Sequence, residues 1–164
     1  MTQLLTSAAF PYLWAAHGEA VARGDGAWAR RMLRRSILVG TGVTALLLLP
    51  LTVFGEPIIR AWVGPAAVPS SALLWWMAAW YLMLTPAQAV AAFLNAAGKV
   101  GVQAWAGTLA AIANVALSVW LARIHGPAGV IAATVVSYLA FAAIPTSIAA
   151  IRTARGLGAQ VPPG

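Results

Sequence analysis

The chain has 164 residues, enough for one domain, yet 62% of it is hydrophobic and only 8% charged, against roughly a quarter charged in ordinary globular proteins. Ten Lys+Arg and three Asp+Glu are too few to coat a chain of mean hydropathy +0.85 in water, which excludes a soluble domain and predicts lipid around most of the surface. The net charge of +7 does not point to nucleic acid, because the basic residues fall in short gaps between apolar runs, as membrane topology requires. The absence of Cys excludes disulfides, thiolate nucleophiles and Cys-bound metals.

In chain order, residues 1–17 are apolar, carry Pro11 and lack the basic start of a signal peptide, so they read as the last part of a span whose beginning is absent, the alternative being a segment that lies flat at the interface. Residues 25–35 read as a short amphipathic helix capped by Asp25. At 100° per residue, Arg30, Arg31, Arg34 and Arg35 fall within about 140° of arc, opposite Trp28, Ala29, Met32 and Leu33. Such a helix is expected to lie on the cytoplasmic membrane surface, its four arginines against anionic or phosphorylated lipid headgroups.

A span of about 20 apolar residues is predicted over 37–54, 72–97, 100–121 and 128–151. Between the first two, Glu56 to Gly64 predicts a turn or two of external helix, with Pro57 at its first position and Gly64 ending it. In the second span, Trp75, Trp76, Trp80 and Tyr81 resemble an interfacial belt. Pro86 predicts a kink there, because it cannot bond to the carbonyl of Leu82, and that bend is read as a hinge. Ala122 to Pro127 has the breakers of a tight turn, and 156–164 predicts a disordered tail. The expected fold is an all-α, multi-pass transmembrane helical bundle of about four full spans plus the partial N-terminal one.

Basic residues test that assignment. Arg23, Arg30, Arg31, Arg34, Arg35, Lys99, Arg152 and Arg155 fall in alternate loops, leaving Arg60 and Arg123 for the other side. The positive-inside rule puts the larger group, and with it the C-terminus, in the cytoplasm.

Catalytic chemistry is not expected. His17 and His125 fall on opposite sides, Glu19, Asp25 and Glu56 sit at span edges, and no spacing suits a metal or a cofactor. The four full spans hold no ionisable residue in their middles. Uncharged polar residues remain, including Gln88, Asn95 and Thr134. Gln103, Asn114 and Ser118 share one narrow face with Gly107 and Ala110. That face suits close helix packing through amide hydrogen bonds, or the lining of a hydrated substrate path.

Four segments together carry a family resemblance: Pro11 followed by Gly24-Asp25 ahead of the basic helix, Gly55 to Gly64, Phe93 to Lys99, and Gly126 to Thr134. In order and spacing they resemble the multidrug, oligosaccharidyl-lipid and polysaccharide exporter superfamily, particularly bacterial polysaccharide (Wzx-type) flippases. The resemblance implies two six-helix halves around an alternately opening cavity. This chain is similar to one half, the C-terminal one, without its first helix and the start of its second. It further implies translocation of a lipid-linked oligosaccharide across the bacterial inner membrane, with membrane lipids and the missing half as partners. Flippases of this kind often use cationic cavity residues, which this chain lacks in mid-span. A drug or lipid-II exporter, or a non-transporting membrane scaffold, are the alternative readings.

Overall fold

A computed structural model of the chain describes residues 18, 19 and 21–158, and all the elements it forms are helical. Helix α1 spans Gly26–Val53, α2 Gly55–Trp62, α3 Ser71–Ala96, α4 Val100–Tyr138 and α5 Ile144–Gly158; a 3-10 turn, Pro65–Ala67, precedes α3, and a π-helical turn, Leu139–Ala143, joins α4 to α5. Side chains start two of these helices. Asp25 accepts from the Trp28 N–H at 2.8 Å and Ser70 from the Leu73 N–H at 3.3 Å, satisfying donors that a helix start leaves free. Glycine ends α3: Gly98 has φ 69°, its N–H reaches the Asn95 carbonyl, and the Lys99 N–H reaches that of Leu94. This paired closure needs a left-handed residue, which glycine adopts at least cost.

Helix α4 is two helices meeting at Gly126, whose φ of 59° and ψ of −144° are not helical. Thr134 donates to the Asn114 side chain at 3.4 Å, although 20 residues of straight helix would separate them by about 30 Å. Gly129 likewise packs on the backbone of Leu121. Both pairs lie nearly symmetrically about Gly126, so the chain doubles back there into an antiparallel hairpin. Pro127 then opens the returning arm, where a missing N–H is harmless.

Helix α3 is central. Its buried Ala89, Val90, Phe93 and Leu94 form one core with Ala29 and Leu33 of α1 and Ala150 and Ala154 of α5. Nearer its start, Trp80 meets Tyr138 edge to face, with ring centroids 5.3 Å apart. Midway, Gly40 of α1 makes room for a side chain of α3: a Cβ there would lie 3.0 Å from the Thr85 methyl. The outside is apolar, with Leu46 and Trp105 each 74% exposed. Three helical stretches, Gly26–Val53, Ser71–Ala96 and Val100–Leu157, are long and apolar enough to cross a membrane, and a surface of this kind belongs in lipid.

Several boundaries differ from expectation. The basic stretch 25–35 is no separate helix but the opening of α1, because residues 27–39 contain no Gly or Pro to end it. Its apolar side packs on α3 and α5 rather than on a membrane surface. The turn expected over Ala122 to Pro127 contracts to Gly126 alone, since Ala122, Arg123, Ile124 and His125 all have good helical partners before it. Pro57 is the third residue of α2, not the first. Helix α5 continues to Gly158, so 156–158 are helical rather than tail. The partial span expected over 1–17 and the tail from 159 onward lie outside the described residues.

Candidate functional site

The packing sorts the charges. Arg30 donates to the Ala154 carbonyl at 3.1 Å, which places the start of α1 beside the end of α5. The shared core brings the end of α3, and with it Lys99, to the same end. Arg23, Arg30, Arg31, Arg34, Arg35, Lys99, Arg152 and Arg155 therefore gather at one end of the bundle. Arg60 and Arg123 lie at the other, where Gly55 meets Leu74 and the hairpin turns. This is the division that the alternate-loop reading expects, now carried by contacts.

Within the basic end, the four arginines expected to meet headgroups have different surroundings. All four are exposed, while Ala29 and Leu33 behind them are buried and Trp28 and Met32 half-buried. Arg30 is held against the last turns of α5, where a cation is favoured by the partial negative charge of the helix end. Arg31, Arg34 and Arg35 have no hydrogen-bond or ion-pair partner among the described residues. The nearby acid Glu19 is engaged with Arg23 at 3.4 Å, and Asp25 with its capping bond. A row of three unpaired guanidinium groups at the edge of an apolar bundle is chemically suited to phosphate oxygens.

Polar side chains of the spans meet one another in three contacts. Gln103 donates to Asn95 at 2.8 Å, clamping the turn between α3 and α4. Asn114 accepts from Ser118 at 2.8 Å as well as from Thr134, joining the two arms of the hairpin. Thr85 donates to the Tyr81 carbonyl at 3.1 Å and lies 2.9 Å from the Thr44 hydroxyl; its one proton being used, Thr44 must be the donor between them. Thus Gln103, Asn114 and Ser118, expected together on one face, are half-buried and split between two contacts. Residues Asn95 and Thr134 complete those contacts. They stood out in the sequence as polar residues within spans, but nothing in it paired them.

Pro86 lies within α3, and helical assignment runs through it without interruption. His125 stands at the end of the bundle opposite Asp25, and among the described residues no three His, Cys, Asp or Glu lie close enough to hold a metal ion. No family model, curated protein or solved structure matches the chain.

Proposed function

We propose that the chain crosses a bacterial inner membrane four times and forms part of a flippase that moves lipid-linked oligosaccharide to the outer leaflet for cell-surface polysaccharide synthesis. The observation that carries this reading is the placement of the four positive-φ glycines. Gly24, Gly64, Gly98 and Gly126 each fall in one of the four segments that resemble the exporter superfamily, so the resemblance lies at the chain's turning points rather than in common membrane-helix composition. The four crossings are α1, α3, the first arm of α4, and its second arm taken together with α5; residues 100–125 extend about 39 Å, more than the roughly 30 Å of hydrocarbon.

The basic end faces the cytoplasm in this reading, where Lys and Arg are retained, and Arg31, Arg34 and Arg35 engage anionic headgroups. A second bundle supplies the opposing wall of the path and the cationic groups that the spans here lack. A non-transporting scaffold is the second reading, favoured by the internal pairing of Gln103, Asn114 and Ser118. Deleting the gene in its host and measuring lipid-linked oligosaccharide in each leaflet separates the two. Accumulation in the cytoplasmic leaflet with loss of surface polysaccharide is expected; an unchanged distribution would leave the scaffold.

A further inference from the structure

The three unpaired arginines of α1 point away from the bundle. At 100° per residue, Arg31, Arg34 and Arg35 span about 100° of arc, centred about 170° from the buried Ala29 and Leu33. Arg30 lies between the two groups and is the one turned to α5, where it donates to the Ala154 carbonyl. The row therefore faces the surroundings of the bundle and not its interior.

Its depth and its neighbours suit a lipid. From Arg31 to Arg35 the helix rises about 6 Å, close to the headgroup thickness of one leaflet, since about 30 Å of a bilayer's 40–45 Å is hydrocarbon. Residues 37–53 then rise about 24 Å, most of that hydrocarbon. Inside the arc of the arginines, this stretch presents Leu38 and Leu49, both 61% exposed, and Gly42, where a Cβ would meet nothing within 4 Å. A headgroup on the arginines would lay its chains along a leucine column with a shallow notch at Gly42. No carboxylate neutralises the row: Glu19 is engaged with Arg23 and Asp25 with its capping bond. Like charges three and four residues apart repel on a helix, and a bound anion relieves that repulsion.

We propose that Arg31, Arg34 and Arg35 form a site on the lipid-facing side of α1 for one lipid whose headgroup is a phosphomonoester, held as an accessory lipid and not as cargo. A phosphomonoester has three terminal oxygens and nearly two negative charges, where the phosphodiester of a common anionic lipid has two free oxygens and one charge. Three guanidinium forks match the former in number and in charge. The site deepens the headgroup contact of the proposed function. It rests on the basic end lying in a leaflet and not on translocation.

The full chain in detergent is titrated at about pH 8, where the monoester is almost fully ionised, and bound lipid is counted by native mass spectrometry. Dioleoyl phosphatidic acid should bind one per chain with a Kd about tenfold below that of dioleoyl phosphatidylglycerol. Replacing Arg31, Arg34 and Arg35 together by Gln should abolish the preference, and replacing them by Lys, which keeps the charge and loses the fork, should cut it to about threefold or less. The pair Arg152→Gln and Arg155→Gln, which removes two charges from the same end, should leave it intact. All five positions are exposed, so helical circular dichroism is expected to match the parent. Equal binding of the two lipids, or equal loss in the Arg152 and Arg155 pair, would reduce the site to diffuse charge and overturn it. Full preference in the Lys variant overturns the forked geometry, and displacement by millimolar inorganic phosphate overturns a lipid as the source. Because the titration reads no flipping, binding by a chain whose deletion leaves both leaflets unchanged would remove the flippase reading and keep the site; absence of binding would do the reverse.

Discussion

Gly129 sits so close to the carbonyl of Leu121 that a side chain on it would occupy that oxygen's position. The two arms of α4 therefore touch backbone to backbone just beyond their turn, where only glycine fits. Backbone atoms cannot move aside as a flexible side chain can. Gly129→Leu is expected to destabilise the bundle by about 1–3 kcal/mol in chemical unfolding from detergent micelles. Gly107→Leu, which points into open space on the same helix, should be near neutral. At the turn itself, Gly126→Ala should cost about 1–3 kcal/mol, because its dihedrals are nearly closed to residues with a Cβ.

Asn114 ties the hairpin together farther from the turn. Asn114→Leu removes the acceptor for both Ser118 and Thr134, whereas Thr134→Val removes a hydroxyl whose single proton is shared between Asn114 and the nearer Val130 carbonyl of its own helix. A double-mutant cycle should return about 0.6–2 kcal/mol for the pair, with the Asn114 variant the less stable. Equal effects would contradict a two-partner acceptor.

The contact between α1 and α3 is centred on Thr85. Thr85→Val loses both the bond to the Tyr81 carbonyl and the one received from Thr44, so it should reduce stability more than Thr44→Val, each by about 1 kcal/mol or less per bond. Pro86 adjoins this contact, and Pro86→Ala restores an N–H for the Leu82 carbonyl. In a transporting complex that change is expected to slow flipping while leaving or improving stability, as measured by flipping rate and unfolding on the same preparation.

The sorted charges predict a sidedness that labelling can test. Introduced into cells one at a time, Lys99→Cys and Arg155→Cys should be protected from an impermeant thiol reagent, while Arg60→Cys and Arg123→Cys react. Labelling of position 99 but not of position 60 would invert the topology.

Alone in vesicles, the purified chain should not flip a fluorescent lipid-linked sugar faster than protein-free vesicles do. Its spans have no ionisable group in mid-span, and an anionic headgroup crossing about 30 Å of hydrocarbon needs a hydrated, preferably cationic path with two walls. Flipping by a crosslinked pair of chains would locate the second wall in another copy.

Composition alone determined that this chain lives among lipids, because 62% hydrophobic residues cannot be hidden inside 164. Local chemistry was legible as well: Asp25 caps α1, and the faces of its first turns separate the four arginines from Ala29 and Leu33. Those effects act over one or two turns, which is the range that sequence spacing reports. What covers the apolar side of those turns was decided elsewhere, by Ala150 and Ala154 more than a hundred residues away, so a stretch that resembled a surface helix became part of the core. The six-residue turn shrank to Gly126 because one residue with φ of 59° suffices to reverse the chain once Gly129 lets the arms touch. The pairing of Asn95 with Gln103 and of Asn114 with Thr134 depends on how the helices rotate about their axes, a choice made by packing between helices and written in no single segment of the sequence.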